Sequence, residues 1–486
     1  MCSFPGGIIH RSSMGCSLQH LRGWKSIVFT ACFTAVATTA LFGQTNFNLL
    51  KSFDGPSGSQ PYSKLIEGSD GLLYGTTFQG GTNASRGALF RMRKDGANFE
   101  VLRNFASGAL GNRPAAGLIE ATDGWLYGTT ASGGTNGLTG TVFKLRKDGG
   151  DYAVIWHFTG TALDGRQPQT ALIEGRDGFL YGTTFGAGTS VPGNVFKISK
   201  DGASFSALHY FQGTGDGSLP WSALLEGSDG VLYGTTYSGT TGSSIFGTIF
   251  KVNKDGSGYT VLRRCDFASG AYPYGGLIEG GDGALYGTTS AGGTGGGGTV
   301  FRIERSGAGY APIFHFSTDG KEPRGTLVEG SNGALYGATF SGGSGTNGTV
   351  FSLDKLGGNY TVLHRFAGAT NDGTSPSAGI LIASDGAVYG TTVFGGALDL
   401  GTVFRLSSSQ PNLTALGIHQ TSNGMLLSLS GGIPGEMYRI QARTNLNIPN
   451  GWSVIGSNSA ALDGTLTVLD SGSSNHPVRI YRSFFP

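Results

Sequence analysis

The sequence predicts an all-β fold in which a seven-bladed β-propeller is followed by a small β-sandwich. The first reason is a repeat, because the motif LYGTT or a close variant occurs seven times. The repeated tyrosines are Tyr74, Tyr127, Tyr181, Tyr233, Tyr286, Tyr336 and Tyr389. Their spacings, by subtraction, are 53, 54, 52, 53, 50 and 53 residues, which is typical of propeller blades. The second reason is the content of each repeat, and the third is one strand displaced to the other end of the array.

Each repeat contains four strand-sized segments that are joined by turn residues. In the second repeat these are GLIEA at 117–121, WLYGTT at 125–130, GTVFKL at 140–145 and YAVIWHF at 152–158. The dipeptide Asp123-Gly124 lies between the first two and favours a two-residue hairpin turn. Because β-branched and aromatic residues fill the segments and no helical period persists, the repeat predicts a four-stranded antiparallel meander.

The two ends of the repeat array predict that the propeller closes on itself. The last repeat ends after its third segment, GTVFRL at 401–406, and has no fourth. The missing segment stands before the first repeat, where FNLLKSF at 47–53 is similar to FEVLRNF at 99–105. Since an open array would leave two exposed sheet edges, we expect residues 47–53 to pair with residues 402–406.

The composition restricts the classes of partner. Charged residues make up 13% of the chain and the formal net charge is +2, so neither a nucleic acid nor an anionic membrane is predicted as a partner. The 88 glycines follow no triplet period and are typical of many tight turns. Three of the four cysteines lie within residues 1–43, so the processed chain has only Cys265, which we expect to be buried and inert.

The amino-terminal segment predicts export. Arg11, Arg22 and Lys25 precede an uncharged apolar run at 27–43, and polar residues follow. This order is typical of a secretory signal peptide, after whose cleavage no membrane span is expected. The alternative is an uncleaved membrane anchor, since the run is near the lower length limit for spanning a bilayer.

These features divide the chain into three parts: a signal peptide at 1–43, a seven-bladed propeller at 44–408 and a carboxy-terminal β-sandwich at 409–486. In the last part, short apolar segments alternate with Gly, Asn, Ser and Pro turns, which favours a small sandwich of immunoglobulin or fibronectin type. The part also resembles terminal modules of some secreted bacterial proteins. The alternative interpretation is a cap over one propeller face.

The repeated unit, LIEGSDGxLYGTTxxGGxxxxGTVFKLxxDG, resembles that of the choice-of-anchor tandem repeat GloVer-containing proteins. The resemblance covers residues 65–406. Departures include Asn332 for the turn aspartate, Ala338 for the first threonine and Ala383 for the glutamate. The resemblance implies an exported bacterial protein with a variable carboxy-terminal attachment region, and it implies no activity for particular residues.

A glutamate recurs in the first segment of six repeats and is the candidate ligand-binding residue. The six are Glu67, Glu120, Glu174, Glu226, Glu279 and Glu329, with Ala383 expected at the seventh position. If these side chains face the channel, they form a ring of like charge that raises their pKa values or collects a cation. The other interpretation is structural: each glutamate bonds to the backbone or to a basic residue of a neighbouring blade.

The remaining polar motifs predict no catalytic residue, metal site or cofactor. Six turn aspartates stand before glycine, as the hairpin requires, and they form no ladder of calcium ligands. Single histidines at His157, His209, His315 and His364 fall in the fourth segments of separate repeats, too far apart to share a metal. The Gly-rich stretches lie between strands and lack the helix of a phosphate-binding loop.

We therefore expect a secreted or cell-surface, noncatalytic binding scaffold. An extracellular glycan or protein is the expected partner, bound through loops that vary between repeats, and the chain is expected to be a monomer. One alternative is an extracellular propeller enzyme acting on sugars, lactones or polysaccharides, which needs an asymmetric cluster of polar groups at one mouth of the channel. Another alternative is a structural surface-layer component.

Overall fold

The computed structural model describes most of the chain from residue 45 onward. The described residues are 45–82, 86–161, 163–186, 193–239, 245–408, 414–421, 424–430, 437–443, 453–459, 461, 465–471 and 480–484. The predicted signal peptide at 1–43 lies outside them. Within the described residues, no helix is long and apolar enough to cross a membrane.

Seven four-stranded antiparallel sheets form the blades of a propeller. Blade 1 comprises β2 (Ile66–Glu67), β3 (Leu73–Thr77), β4 (Ala88–Met92) and β5 (Glu100–Asn104). Blade 2 comprises β6 (Ile119–Glu120), β7 (Leu126–Thr130), β8 (Thr141–Leu145) and β9 (Ala153–His157). Blade 3 comprises β10 (Ile173–Glu174), β11 (Leu180–Thr184), β12 (Asn194–Ile198) and β13 (Phe205–Tyr210). Blade 4 comprises β14 (Leu225–Glu226), β15 (Leu232–Thr236), β16 (Thr248–Val252) and β17 (Thr260–Arg264).

The remaining blades follow the same order from the inner to the outer strand. Blade 5 comprises β18 (Ile278–Glu279), β19 (Leu285–Thr289), β20 (Thr299–Ile303) and β21 (Ala311–His315). Blade 6 comprises β22 (Val328–Glu329), β23 (Leu335–Thr339), β24 (Thr349–Leu353) and β25 (Thr361–Arg365). Blade 7 comprises β27 (Leu381–Ile382), β28 (Val388–Thr392), β30 (Thr402–Ser408) and, as its outer strand, β1 (Thr45–Ser52). A short pair, β26 (Gly373–Thr374) and β29 (Phe394–Gly395), adjoins blade 7.

The predicted closure of the ring is confirmed. Strand β1 pairs antiparallel with β30, with Phe47 opposite Leu406 and Ser52 opposite Thr402. The ring of Phe47 stacks on His364 of blade 6 at 4.1 Å between centroids, and it also contacts Phe404 of blade 7. The amino-terminal strand therefore completes blade 7 and covers the side of blade 6.

The LYGTT strand is fully buried because its glycine admits an aromatic ring from the next strand. A Cβ atom added at Gly128 would lie 2.5 Å from Cζ of Phe143 and 2.9 Å from Cδ2 of Leu118. The flanking Tyr127 is inaccessible to solvent and packs with Phe158 and with Leu180 of blade 3. The apolar core thus lies between adjacent blades, and each repeat supplies half of two such interfaces.

The propeller has two faces with different connections. We call the face that carries the turns between strands 1 and 2 and between strands 3 and 4 of each blade the turn face. The opposite face, which carries the loops between strands 2 and 3 and the links to the next blade, is the loop face. Antiparallel meanders place these two kinds of connection at opposite ends of the strands.

The carboxy-terminal strands form two three-stranded antiparallel sheets. One sheet contains β31 (Thr414–Thr421), β32 (Gly424–Ser430) and β35 (Leu466–Asp470). The other contains β33 (Met437–Arg443), β34 (Ser453–Ser459) and β36 (Ile480–Phe484). In β35 the burial alternates strictly, which is the pattern of a sheet with one covered side.

Candidate functional site

The turn face carries the same contact at six of its blade junctions, and this contact uses the six predicted glutamates. Glu120 accepts hydrogen bonds from the backbone N–H and the hydroxyl of Ser69 in blade 1, at 2.7 and 2.6 Å. Its other partner is Lys147 of its own blade, at 2.8 Å. Each glutamate therefore joins the hairpin turn of the preceding blade to the second turn of its own blade.

The other five glutamates have equivalent partners. Glu67 accepts hydrogen bonds from the backbone N–H and the hydroxyl of Ser384 and forms an ion pair with Lys94. This contact therefore spans the junction between the first and last blades. The remaining ion pairs are Glu174 with Lys200, Glu226 with Lys254, Glu279 with Arg305 and Glu329 with Lys355. We call these six contacts the carboxylate clamps.

Three of the clamps lower the pKa of their glutamate. Burial by itself would raise the pKa of Glu120, but hydrogen bonds from Lys147 and Ser69 hold that pKa below its usual value. The same balance lowers the pKa values of Glu67 and Glu174. Basic partners, rather than like charges, thus dominate the surroundings of these three carboxylates.

Blade 7 departs from the clamp, and the sequence-based alignment at this point was wrong by one residue. Ile382 pairs with Val388 in the way that Glu67 pairs with Leu73. Ile382, not Ala383, therefore occupies the glutamate position. The side chain of Ile382 packs into the apolar cluster shared by blades 6 and 7, so this junction is apolar where the others are ionic.

The turn aspartates also have structural partners. Asp123 accepts the hydroxyl of Tyr127 at 2.8 Å and the backbone N–H of Trp125 at 3.2 Å. In blade 6, Asn332 makes both contacts by donating to the hydroxyl of Tyr336 and accepting from Ala334. Each aspartate therefore holds its own hairpin turn and accepts a hydrogen bond from the buried tyrosine hydroxyl of the same blade.

Trp125 lies on the turn face, at a position whose residue varies between blades. Trp125 borders a shallow pocket of about 330 Å³ with Arg91, Arg146 and Lys147. The cations of Lys144 and Arg146 lie 5.1 and 4.7 Å from the ring of Trp125. These cation–π contacts already occupy the tryptophan, so it offers little open ring surface.

The loop face repeats its backbone rather than its side chains. In all seven blades the residue before a proline has a positive φ between 54° and 59°, a conformation uncommon for residues other than glycine. These residues are Gln60, Arg113, Gln167, Leu219, Tyr272, Glu322 and Ser375. The carbonyl of each accepts a hydrogen bond from the residue that follows the second strand of the same blade, as in Tyr237 N–H to Leu219. The backbone is therefore held in the same way seven times.

The side chains on this repeated backbone differ from blade to blade. The residue after the proline is Tyr62, Ala115, Gln169, Trp221, Tyr274, Arg324 or Ser377. The residue after the second strand is Phe78, Ala131, Phe185, Tyr237, Ser290, Phe340 or Val393. The scaffold is thus regular, whereas the groups that it presents are not.

The large residues at these positions, together with Tyr272 before its proline, form a group that we call the aromatic crescent. Its residues are Tyr62, Phe78, Phe185, Trp221, Tyr237, Tyr272, Tyr274, Arg324 and Phe340. Trp221 contacts Phe185 of blade 3, Tyr237 of its own blade and Tyr274 of blade 5, with centroids 5.0 to 5.2 Å apart. The contacts therefore run across blade boundaries.

The crescent continues from blade 5 through blade 6 toward blade 1. The guanidinium of Arg324 lies 3.5 Å from the ring centroid of Phe340 and 5.7 Å from that of Tyr274. Burial raises the pKa of Tyr62, while the nearby charge of Arg324 opposes that shift. All nine side chains are half-buried, so each is supported from below and open on another side.

The loop face is asymmetric, and its acids, such as Asp216 and Asp372, have partners within the links between blades. Among the described residues, no group of three or more His, Cys, Asp or Glu could hold a metal ion. The four histidines lie in outer strands, as predicted, and His209 and His364 bond to Asp216 and Asp372 at 3.1 and 3.2 Å. The Cys265 thiol is buried, and this burial raises its pKa to about 12.

The aromatic crescent was not predicted from the sequence motifs. The predicted site residues were ones that recur in the repeats, whereas the crescent residues occupy positions that vary between repeats. An alignment of the seven repeats on their prolines would have found it, since the next residue is Tyr, Ala, Gln, Trp, Tyr, Arg or Ser. The sequence predicts ligand binding through loops that vary between repeats. Parts of two such loops, residues 187–192 and 240–244, lie outside the described residues.

With this geometry established, comparison with known proteins identifies the repeat. The family model of the Gloeobacter/Verrucomicrobia repeat matches residues 37–239, 139–328 and 311–434. The chain belongs to the Gloeobacter/Verrucomicrobia repeat family. The resemblance inferred from the LIEGSDG and LYGTT motifs is therefore confirmed. No curated protein is significantly similar to this member of the family.

Solved structures share the fold of this Gloeobacter/Verrucomicrobia repeat protein at low identity. One is the extracellular domain of a protein described as a hybrid two-component system from B. thetaiotaomicron, with 12% identity and a TM-score of 0.51. The match covers 85% of this chain but only 47% of that one. Another is an oligogalacturonate lyase in complex with manganese, with 9% identity, a TM-score of 0.51 and coverage of 76% and 97%. At such identities the likeness concerns the propeller fold alone.

Proposed function

We propose that this protein is an exported, noncatalytic binding protein whose aromatic crescent binds a glycan. The observation that carries the proposal is the contrast within the loop face, where one backbone arrangement presents side chains that vary among the blades. A purely structural role would place the same residue in every repeat, as the carboxylate clamps do. Side chains that differ on a rigid, regular scaffold are typical of recognition.

The chemistry of the crescent suits a sugar. The faces of a pyranose ring carry C–H groups that pack on aromatic rings, while its edges carry hydroxyls that need hydrogen-bond partners. The crescent supplies both kinds of group, because Trp221 and Tyr274 offer rings and Gln169 offers an amide beside them. The indole N–H of Trp221 donates to Gln169 at 3.3 Å and thereby fixes the ring.

A protein ligand is the second candidate, because Trp, Tyr and Arg also dominate the energetics of protein interfaces. We favour a glycan because neighbouring rings of the crescent, such as Trp221 and Tyr274, lie together across blade boundaries with an amide beside them, as packing on a sugar face requires. Binding of a deglycosylated protein, with no response to any glycan, would support the second candidate instead.

A glycan array with the processed protein tests the proposal, followed by calorimetric titration of the best ligand. We expect Trp221→Ala to weaken binding at least tenfold, since a central aromatic contact typically contributes 1.4 kcal/mol or more, about a factor of ten. The matched control is Trp125→Ala on the turn face, which should leave the affinity unchanged. Equal affinities for the two variants would contradict binding at the crescent.

The noncatalytic part of the proposal has its own measurement. Mass spectra of the glycan ligand before and after prolonged incubation with the protein should be identical. A product of different mass would support the alternative of an extracellular propeller enzyme.

We also propose that residues 1–43 direct export and that residues 409–486 form a small β-sandwich of immunoglobulin type. Export is supported by the basic, apolar and polar order of the leader. The sandwich is supported by the two three-stranded sheets and by buried Leu427, Ile440 and Val468 in their strands. Amino-terminal sequencing of the protein from the extracellular fraction should begin near residue 44, and an unprocessed chain would contradict export by cleavage.

A further inference from the structure

A ring of seven residues lies at the centre of the propeller, just inside the aromatic crescent. Each ring residue stands three positions after an inter-blade proline. The ring residues are Lys64, Gly117, Ala171, Ala223, Gly276, Thr326 and Gly379. A Cβ atom added at Gly117 would lie 3.1 Å from the carbonyl oxygen of Lys64 and 3.8 Å from Cβ of Ala171. Neighbouring blades therefore touch each other at these positions.

The ring also closes between the last blade and the first. A Cβ atom added at Gly379 would lie 2.9 Å from the carbonyl oxygen of Thr326 and 3.4 Å from Cδ of Lys64. Contacts of this kind around all of the blades place the ring at the propeller axis, where only small residues fit easily. Lys64 is the single charged residue of the ring.

Lys64 has no protein partner for its ammonium group. Within the part of the chain that the structure describes, no carboxylate or carbonyl forms an ion pair or hydrogen bond with its Nζ. The surrounding blades desolvate the side chain, and this burial lowers the pKa of Lys64. Lys64 is half-buried, and among the described residues no acidic side chain pairs with its ammonium group, so the position favours an anionic group that comes from outside the chain.

A second cation of this face, Arg324, is already paired. Arg324 donates to Glu322 at 2.7 Å and lies against Phe340. Tyr62, a crescent residue, precedes Lys64 by two positions, so the chain connects the crescent directly to the ring in blade 1.

We propose that Lys64 binds a carboxylate of the ligand, so that the protein recognises an acidic glycan built from uronic acid units. The proposal rests on glycan binding at the crescent. The aromatic rings pack on the sugar faces, and the Lys64 ammonium group reaches from the ring to a carboxylate of one unit. The bond is charge-assisted.

Two matched ligands test the proposal: oligogalacturonides and the same oligomers with their carboxyl groups reduced to hydroxymethyl groups. Titration of the full processed protein should show a preference of about tenfold or more for the acidic oligomers, the usual effect of one charge-assisted hydrogen bond. In Lys64→Met, which keeps most of the length of the side chain beside Gly379, the preference should fall to within about twofold. Lys64→Arg should retain part of it.

The outcomes separate this inference from the proposed function. If Lys64→Met binds both ligands equally and Trp221→Ala binds neither, both proposals hold. Equal affinity of the unmodified protein for the two ligands overturns the acidic specificity but leaves glycan binding intact. If no glycan binds at all, the proposed function fails and the inference fails with it. Circular dichroism and thermal unfolding of Lys64→Met confirm that a lost preference reflects binding rather than misfolding.

Discussion

The turn face and the loop face of this propeller use repetition in opposite ways. On the turn face the side chains repeat, and Glu120, Lys147 and Asp123 have counterparts that make the same contacts in most blades. On the loop face the backbone repeats, through the positive φ before each proline, and the side chains differ. Residues that join blades must match at every junction, whereas residues that contact a ligand need to match only the ligand.

Both faces exist only while the ring of blades is closed. Opening the ring should therefore have the largest effect on the stability of the protein. Deleting residues 45–52 removes β1 and exposes the edge of β30 together with the side of blade 6 that Phe47 covers. We expect loss of the cooperative urea transition, because both faces depend on all seven junctions.

The chain provides a matched control for that deletion. Replacing FNLLKSF at 47–53 with FEVLRNF, the sequence at 99–105, restores an outer strand of the same pattern. This variant should regain a cooperative transition. A deletion variant that unfolds like the intact protein would show that β1 is dispensable and would contradict the closure.

Much of this architecture could be predicted from sequence because it depends on local patterns. The Asp-Gly turns, the alternating strands and the displaced FNLLKSF segment each leave a signature within a few residues. The register of blade 7 was misjudged because its ILIASDG segment has no glutamate, and alignment on the turn aspartate, Asp385, would have placed Ile382 correctly.

The candidate site was harder to predict because it depends on contacts between distant repeats. Trp221 meets Phe185 and Tyr274 only after the blades are arranged around an axis. No motif in the sequence distinguishes Lys64, and its half-buried place in the ring arises partly from neighbours that are more than 250 residues away, such as Gly379. Long-range packing of this kind leaves no local pattern.

A smaller effect is expected from a single carboxylate clamp. Glu120→Gln keeps the shape of the side chain but removes the charge that Lys147 and the Ser69 N–H contact. We expect a loss of about 1–2 kcal/mol in the free energy of unfolding at pH 7, with no change in glycan affinity. Glu100→Gln is the control, because its ion pair with Arg91 is 53% exposed at the carboxylate and should contribute less than about 0.5 kcal/mol.

The same variant gives a test of pH dependence. The pKa of Glu120 is lower in the folded protein than its ordinary value of about 4.3, so the folded state favours the ionised form. The stabilisation is complete above that ordinary value and is lost as the pH falls through the lowered pKa. The difference in stability between the unmodified protein and Glu120→Gln should therefore shrink below about pH 4, and a constant difference would contradict the clamp.

The smallest effect is expected where the chain already contains the substitution. Asp123→Asn should cost less than about 1 kcal/mol, because Asn332 of blade 6 bonds to Tyr336 and Ala334 as the aspartates bond to their tyrosines and turns. Asp123→Ala is the matched comparison and should cost more, since it leaves the buried hydroxyl of Tyr127 without that partner. Chemical denaturation of the two variants measures both losses. If Asn and Ala prove equally destabilising, the charge of Asp123 matters more than its hydrogen bonds, and the turn face would then depend on its electrostatics as strongly at the aspartates as at the glutamates.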